Sequence, residues 1–201
     1  QIAHDRRALF LVDGIQGAGV FTLNIEENGI DILAAAGFKW LLGMPGTGFL
    51  YVSQAAQEKI SPVLPGMFAA EDNTRQLHYF NDARRYETGT IAYALFYSWL
   101  AGLDILKEVG VENIHARVLA LTGRIIAGLR AKKIEIASPV DQISERSAII
   151  SFTVGSEGEN KELYKKLMAQ KIIVALRDGR IRVSPNFFNV EAEIDRFLEA
   201  L

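Results

Sequence analysis

Two short apolar runs near the amino terminus, each followed closely by a charged residue, constrain the fold of this chain more than any other feature. The first, ALFLV at residues 8–12, runs into Asp13, and the second, IDILAAAG at residues 30–37, stops just short of Lys39. Both runs are continuous rather than alternating, the pattern of strands buried on two faces in a parallel sheet. About 17 residues separate them, enough for the crossover that a parallel pair requires. The expected class is therefore α/β, with Asp13 and Lys39 at the carboxyl ends of neighbouring strands, where open α/β sheets place their ligands.

Further along, LLGMPGTG forms a turn that feeds GFLYVS at residues 48–53, whose Phe, Tyr and Val suit another strand. Residues 61–90 read as a long loop, with Pro62, Pro65, Gly66 and the polar stretch EDNTRQ; such a loop generally has a function or a partner to hold it. Residues 91–109 are apolar nearly all round and predict a buried helix. Val111, Ile114, Val118, Leu121, Ile125 and Leu129 then recur at three- and four-residue steps, which predicts a one-sided helix. Gly110 punctuates the two, so residues 1–109 are expected to be the remainder of a larger sheet domain and residues 110–201 a small α/β domain. In the latter, IEIA and AIISFTV predict strands, NKELYKKLMAQ a helix capped by Asn160, and the segment through Ile194, Phe197, Leu198 and Leu201 a final helix. Between them lies a hairpin, because IIVALR and RIRVS flank Asp178 and Gly179, a pair that favours a type I′ turn. Alternation places Ile181 and Val183 on one face and Arg180, Arg182 and Ser184 on the other.

Composition removes several functions. The 22 basic and 24 acidic residues are spread along the chain and leave no cationic face for nucleic acid. No apolar run approaches the roughly 20 residues that span a bilayer, so a cytoplasmic protein without membrane partners is expected. The cysteine count is zero, which excludes disulfides, thiolate metal sites and a cysteine nucleophile from this chain. His4, His78 and His115 are scattered without ligand spacing, so no metal is expected. Trp40 and Trp99 read as core or dimer-interface aromatics.

From the residues alone, Asp13 and Lys39 are either a structural ion pair or the two groups that pyridoxal phosphate requires. That cofactor needs a lysine amine to form its imine and a carboxylate to keep its ring nitrogen protonated. The strings VDGIQGAG, GIDILAAAGFKWLLGMPGTGFLYVS, RYETGT and IRVSPNFFNVEAEIDRFLEAL bear on the choice. In this order, over nearly the whole chain, they resemble the class V aminotransferases of the fold-type I pyridoxal-phosphate superfamily. The resemblance implies part of the large-domain sheet of that fold followed by its small carboxy-terminal α/β domain. It also implies the carboxy-terminal half of such an enzyme, in keeping with an opening segment, QIAHDRRALF, that reads as a helix end running into a strand.

Carried over residue by residue, the resemblance implies that Asp13 pairs with the pyridine nitrogen and Gln16 hydrogen-bonds the ring hydroxyl. Lys39 becomes the Schiff-base lysine and the base that moves the substrate Cα proton. Thr90 falls where the family contacts the cofactor phosphate of the neighbouring subunit, implying a homodimer with shared active sites; read locally, Thr90 is also a cap for the helix that follows. Arg182 matches the arginine that clamps the substrate α-carboxylate, with Arg180 on the same face as the fallback. Two positions depart from the pattern: Ala36 and Phe38 stand where many members carry serine and histidine, which removes phosphate or ring contacts.

The implied activity is that of a pyridoxal-phosphate-dependent aminotransferase acting on an amino acid or small amine. Lyases and epimerases of the same family remain alternatives, as does a non-catalytic fragment. Desulfuration is disfavoured, because desulfurases of this kind keep a nucleophilic cysteine before the terminal RxS motif, where this chain has LRDGRIRVS and no cysteine.

Overall fold

The computed structural model describes residues 1–70 and 78–201, so the EDNTRQ stretch of the expected long loop lies outside the described residues. The chain divides into two compact units, Gln1–Val111 and Glu112–Leu201.

The first unit contains α1 (Ile2–Asp5), β1 (Leu11–Asp13), β2 (Ile32–Ala36), β3 (Gly48–Val52), α2 (Gln54–Gln57), a 3₁₀ turn at Ala83–Tyr86 and α3 (Tyr93–Val109). Its sheet has the order β1-β2-β3. The expected parallel pair is present, with Asp13 opposite Ala34, and β3 returns antiparallel with Ala36 opposite Gly48. The connection between β1 and β2 is a series of turns without a helix. Within this chain only β2 flanks β1, and Leu11 is 60% exposed. Leu33 and Ala35 of β2 are buried.

The helix expected over residues 91–109 begins at Tyr93, and its N-cap position is Ala92 without a side-chain bond, so Thr90 does not cap it. It buries a stripe of Trp99, Gly102 and Leu106 while Tyr97 and Leu100 stay exposed, so its all-round apolar sequence does not make it buried all round. Trp40 and Trp99 are core residues, and the Trp99 indole donates to the Leu41 carbonyl at 2.8 Å, pinning α3 to the turn after β2. Among the described residues no helix is long and apolar enough to cross a membrane.

The second unit is built from α4 (Val111–Ala131), β4 (Glu135–Ile136), β5 (Ile150–Thr153), α5 (Glu157–Ala169), β6 (Ala175–Arg177), β7 (Arg180–Val183) and α6 (Glu191–Ala200). Its sheet, of order β4-β5-β7-β6, is antiparallel throughout. Leu121, Ile125 and Leu129 of α4 pack with Phe152, Leu167, Ile181 and Phe197 in one core, where each large apolar side chain contributes about 1.5–3 kcal/mol by leaving water. The hairpin turn is as expected: Asp178 and Gly179 have φ of 48° and 72°, the positive values a type I′ turn demands.

Asn160 is not the cap of α5. Ser156 is, through a capping box with Glu159, and Asn160 lies buried one turn in. Its Oδ1 accepts from the Val154 N–H at 2.9 Å, and its Nδ2 donates to Thr153 Oγ1 at 2.7 Å and to the Gly179 carbonyl at 2.9 Å. One polar side chain thereby joins β5, α5 and the hairpin, with its own burial offset by the bonds it makes.

Candidate functional site

The β1 end is shaped by its aspartate. Asp13, exposed on the last position of β1, accepts the Ile15 N–H on Oδ1 at 3.0 Å, an Asx-type turn that redirects the chain. Gly14 N–H continues the ladder to the Ala34 carbonyl at 2.7 Å, and the amides of Gly17 and Ala18 both return to the Gly14 carbonyl. The loop then passes so near the next turn that a Cβ on Gly19 would stand 2.8 Å from the Trp40 carbonyl oxygen. The segment bearing Asp13 and half-buried Gln16 therefore packs on the turn that carries Lys39.

That turn follows β2 and is closed by main-chain bonds from Gly37 to the Thr47 carbonyl and from Gly43 to the Gly37 carbonyl, both 2.8 Å, and from Leu42 to the Lys39 carbonyl at 3.2 Å. Lys39 is half-buried. Asp13 and Lys39 form no ion pair with each other, and among the described residues neither side chain meets an opposite charge within 4 Å.

A cavity of about 1340 Å³ opens on this end of the first unit. Asp13, Ile15, Ala34, Ala35, Ala36 and Phe38 line one side, Thr47, Phe49 and Leu50 another, and Asp82, Arg84, Tyr86 and Glu87 a third. Phe38, 46% exposed, represents the Lys39 turn in that lining, whereas Lys39 and Gln16 do not reach it. Asp82 and Arg84 were hidden in the segment read as loop. The available signal was local: the Asp82 carboxylate accepts the Arg84 N–H two residues on and so caps the 3₁₀ turn. The Arg84 guanidinium, which also lies 4.0 Å over the Phe80 ring, holds the Asp82 carboxyl below its ordinary range by hydrogen bonding.

Thr90 belongs to the same unit, exposed and without a hydrogen bond among the described residues. Arg182 belongs to the other, on β7 with Ser151 and Ala175 as its cross-strand neighbours. Its Nε is buried and has no partner among the described residues, whereas Arg180 on the same face is exposed. Among the described residues no cluster of His, Cys, Asp and Glu side chains is arranged to hold a metal ion.

Residues 1–196 match the family described as Aminotransferase class-V. The uncharacterized aminotransferase YcbU of Bacillus subtilis (strain 168) is 29% identical over 201 residues, which is 100% of this chain and 53% of that protein. The apo cysteine desulfurase from Thermococcus onnurineus NA1 superposes with a TM-score of 0.88 at 24% identity, covering 98% of this chain and 52% of its own. The cystine C-S lyase C-DES, solved with its reaction product cysteine persulfide, gives 0.85 at 24% identity over 96% of this chain and 51% of its own. The chain spans about half the length of the curated relatives it matches. Its mixed α/β fold, the class expected from the sequence, is that of about half of a pyridoxal-phosphate-dependent cysteine desulfurase.

Proposed function

Because the chain belongs to the class-V aminotransferase family, whose members use pyridoxal phosphate and act on amino acids, we propose that it carries the imine-forming lysine and substrate clamp of an aminotransferase-like enzyme. One observation carries this reading. Parallel pairing of β1 with β2 brings both strands to the same end of the sheet, where a carboxylate and an amine follow them without being spent on each other.

When bound, pyridoxal phosphate supplies a protonated ring that draws electrons from the substrate Cα. Asp13 holds the proton on the ring nitrogen, with its orientation fixed by the Ile15 amide on Oδ1. Gln16 donates to the ring hydroxyl. Lys39 would hold the group through Nζ and would take and return the substrate Cα proton. Arg182 would receive the α-carboxylate, for which a planar guanidinium is suited. Thr90 would meet the cofactor phosphate of a second subunit in a homodimer. Asp13, on the cavity wall, suits the ring nitrogen; Lys39 and Gln16 supply an amine and an amide donor but do not line that cavity. The donor set is poorer toward the phosphate near Lys39, since Ala36 and Phe38 carry no donor and the Thr47 hydroxyl already donates to the Met44 carbonyl at 2.7 Å.

A second reading is carbon–sulfur lyase chemistry, favoured by the absence of cysteine. Sulfur transfer to a thiol of this chain is closed, whereas C-DES yields its sulfur as cysteine persulfide. Screening single amino acids against the cofactor-loaded intact protein, with a 2-oxo acid as acceptor, separates the two. Appearance of the acceptor's amino acid supports transamination; a persulfide product without amino transfer supports the lyase. Turnover of neither kind for any amino acid contradicts both.

A further inference from the structure

The 3₁₀ turn Ala83–Tyr86 is fastened to the end of α2 and the chain just after it by two side-chain bonds that reach far back along the sequence. Arg85 Nη1 donates to the main-chain oxygen of Gln57, the last residue of α2, at 3.3 Å, and the Tyr86 hydroxyl donates to the Ile60 carbonyl at 3.0 Å. Gln57 is itself buried, and its side-chain amide donates to the carbonyl of Val52, the last residue of β3, at 3.0 Å. A relay of hydrogen bonds thus runs from the end of β3 through Gln57 to Arg85. Just past the turn, Gly66 N–H donates to the Glu87 carbonyl at 3.1 Å, and a Cβ on Gly66 would fall 2.4 Å from the Thr88 carbonyl carbon, so the chain lies flush on Gly66 there. Thr90 follows, exposed and hydrogen-bonded to nothing among the described residues.

We infer that Arg85 and Tyr86 are positioning residues that hold Thr90 at a set place on its own unit, so that its hydroxyl meets the phosphate of a second subunit's cofactor. The inference rests on the proposed reading of Thr90 as a phosphate contact. Two anchors on consecutive residues, reaching carbonyls three residues apart, resist both sliding and rotation of the turn, which a single bond would not. The anchor is also an expensive one for stability alone. Arg85 Nε and Gln57 Oε1 are both buried and unpartnered among the described residues, an arrangement that packed apolar side chains would avoid. Arg85 makes no ion pair within 4 Å among the described residues; its guanidinium lies 6.0 Å over the Tyr79 ring and bonds to a neutral carbonyl.

The test compares pyridoxal phosphate with pyridoxal, which lacks the phosphate, on the intact protein. Thr90→Ala, Arg85→Gln and Tyr86→Phe should each weaken pyridoxal phosphate binding by about tenfold, the worth of one hydrogen bond, and pyridoxal binding by less than about twofold. Arg85→Gln added to Thr90→Ala should cost nothing further, because both act through the same hydroxyl. If Thr90→Ala discriminates between the two compounds but Arg85→Gln and Tyr86→Phe weaken both alike or neither, the positioning role is wrong and the Thr90 reading survives. If Thr90→Ala fails to discriminate, both are wrong. Should Arg85→Gln fail to fold, Tyr86→Phe, which removes one hydroxyl, decides by the same rule.

Discussion

Gly19 rests against the main chain of Trp40: a Cβ on Gly19 would stand 2.8 Å from the Trp40 carbonyl oxygen, and its φ of 91° is one that only glycine adopts without strain. This contact holds the loop of Gln16 to the turn of Lys39. Gly19→Ala must force them apart, at a cost of about 1–3 kcal/mol. Denaturant midpoints should show this loss, and pyridoxal phosphate binding should weaken with it. Gly17→Ala, whose Cβ would meet nothing nearer than the Phe21 ring at 3.8 Å, should cost far less. Equal losses for the two variants would mean that the Trp40 contact is not what joins the segments.

Asn160→Ala should be among the most damaging single changes in the second unit. It strands the Val154 amide and removes the donor to the Gly179 carbonyl, while the Thr153 hydroxyl keeps its bonds to Gly155, for a loss of about 2–4 kcal/mol. Ser156→Ala, which removes only the cap, should cost about 1 kcal/mol. Urea unfolding of both variants checks the order, and a larger loss at Ser156 would reverse it.

Stability in acid should carry the mark of Glu191. Hydrogen bonding from the Arg117 guanidinium holds its carboxyl down at about 2, against an ordinary value of 4.5. A carboxyl depressed by folding stabilises the folded state fully above its ordinary value, and that contribution disappears as pH falls from 4.5 toward about 2. Glu191 is exposed, so the slope should be shallow and weaken with added salt. Denaturant midpoints across that window should fall less steeply for Glu191→Gln than for the parent; identical slopes would remove the pair from the account.

For Arg182→Ala, the Michaelis constant for amino acids should rise by about tenfold or more, as expected when a charge-assisted carboxylate contact is lost, with the resting visible spectrum unchanged. Arg180→Ala should change little. The opposite pattern in steady-state kinetics would move the clamp to Arg180.

The parts of this fold that were legible in the sequence are those set by neighbours along the chain. The parallel β1–β2 pair follows from two unbroken apolar runs, and the hairpin from Asp178 and Gly179, whose positive φ values local chemistry dictates. The rest depends on distant partners. Leu11 belongs to a buried-strand pattern, yet nothing flanks its open edge in this chain. Asn160 looked like a cap because an asparagine opened the helical pattern; its burial requires the Gly179 carbonyl, 19 residues on. Ser156 and Glu159 held the true capping signal. The turn at Ala83–Tyr86 has a local cap in Asp82, but its fastening to the carbonyls of Gln57 and Ile60, 28 and 26 residues away, leaves no mark in its own sequence.

The central claim is that Lys39 is the residue that binds the cofactor covalently. Saturating the intact protein with pyridoxal phosphate, reducing with borohydride and mapping the peptides measures it directly. The account predicts the pyridoxyl label on the GFKWLLGM segment and its absence in Lys39→Ala. A label on any other lysine, or no label under saturating cofactor, contradicts it.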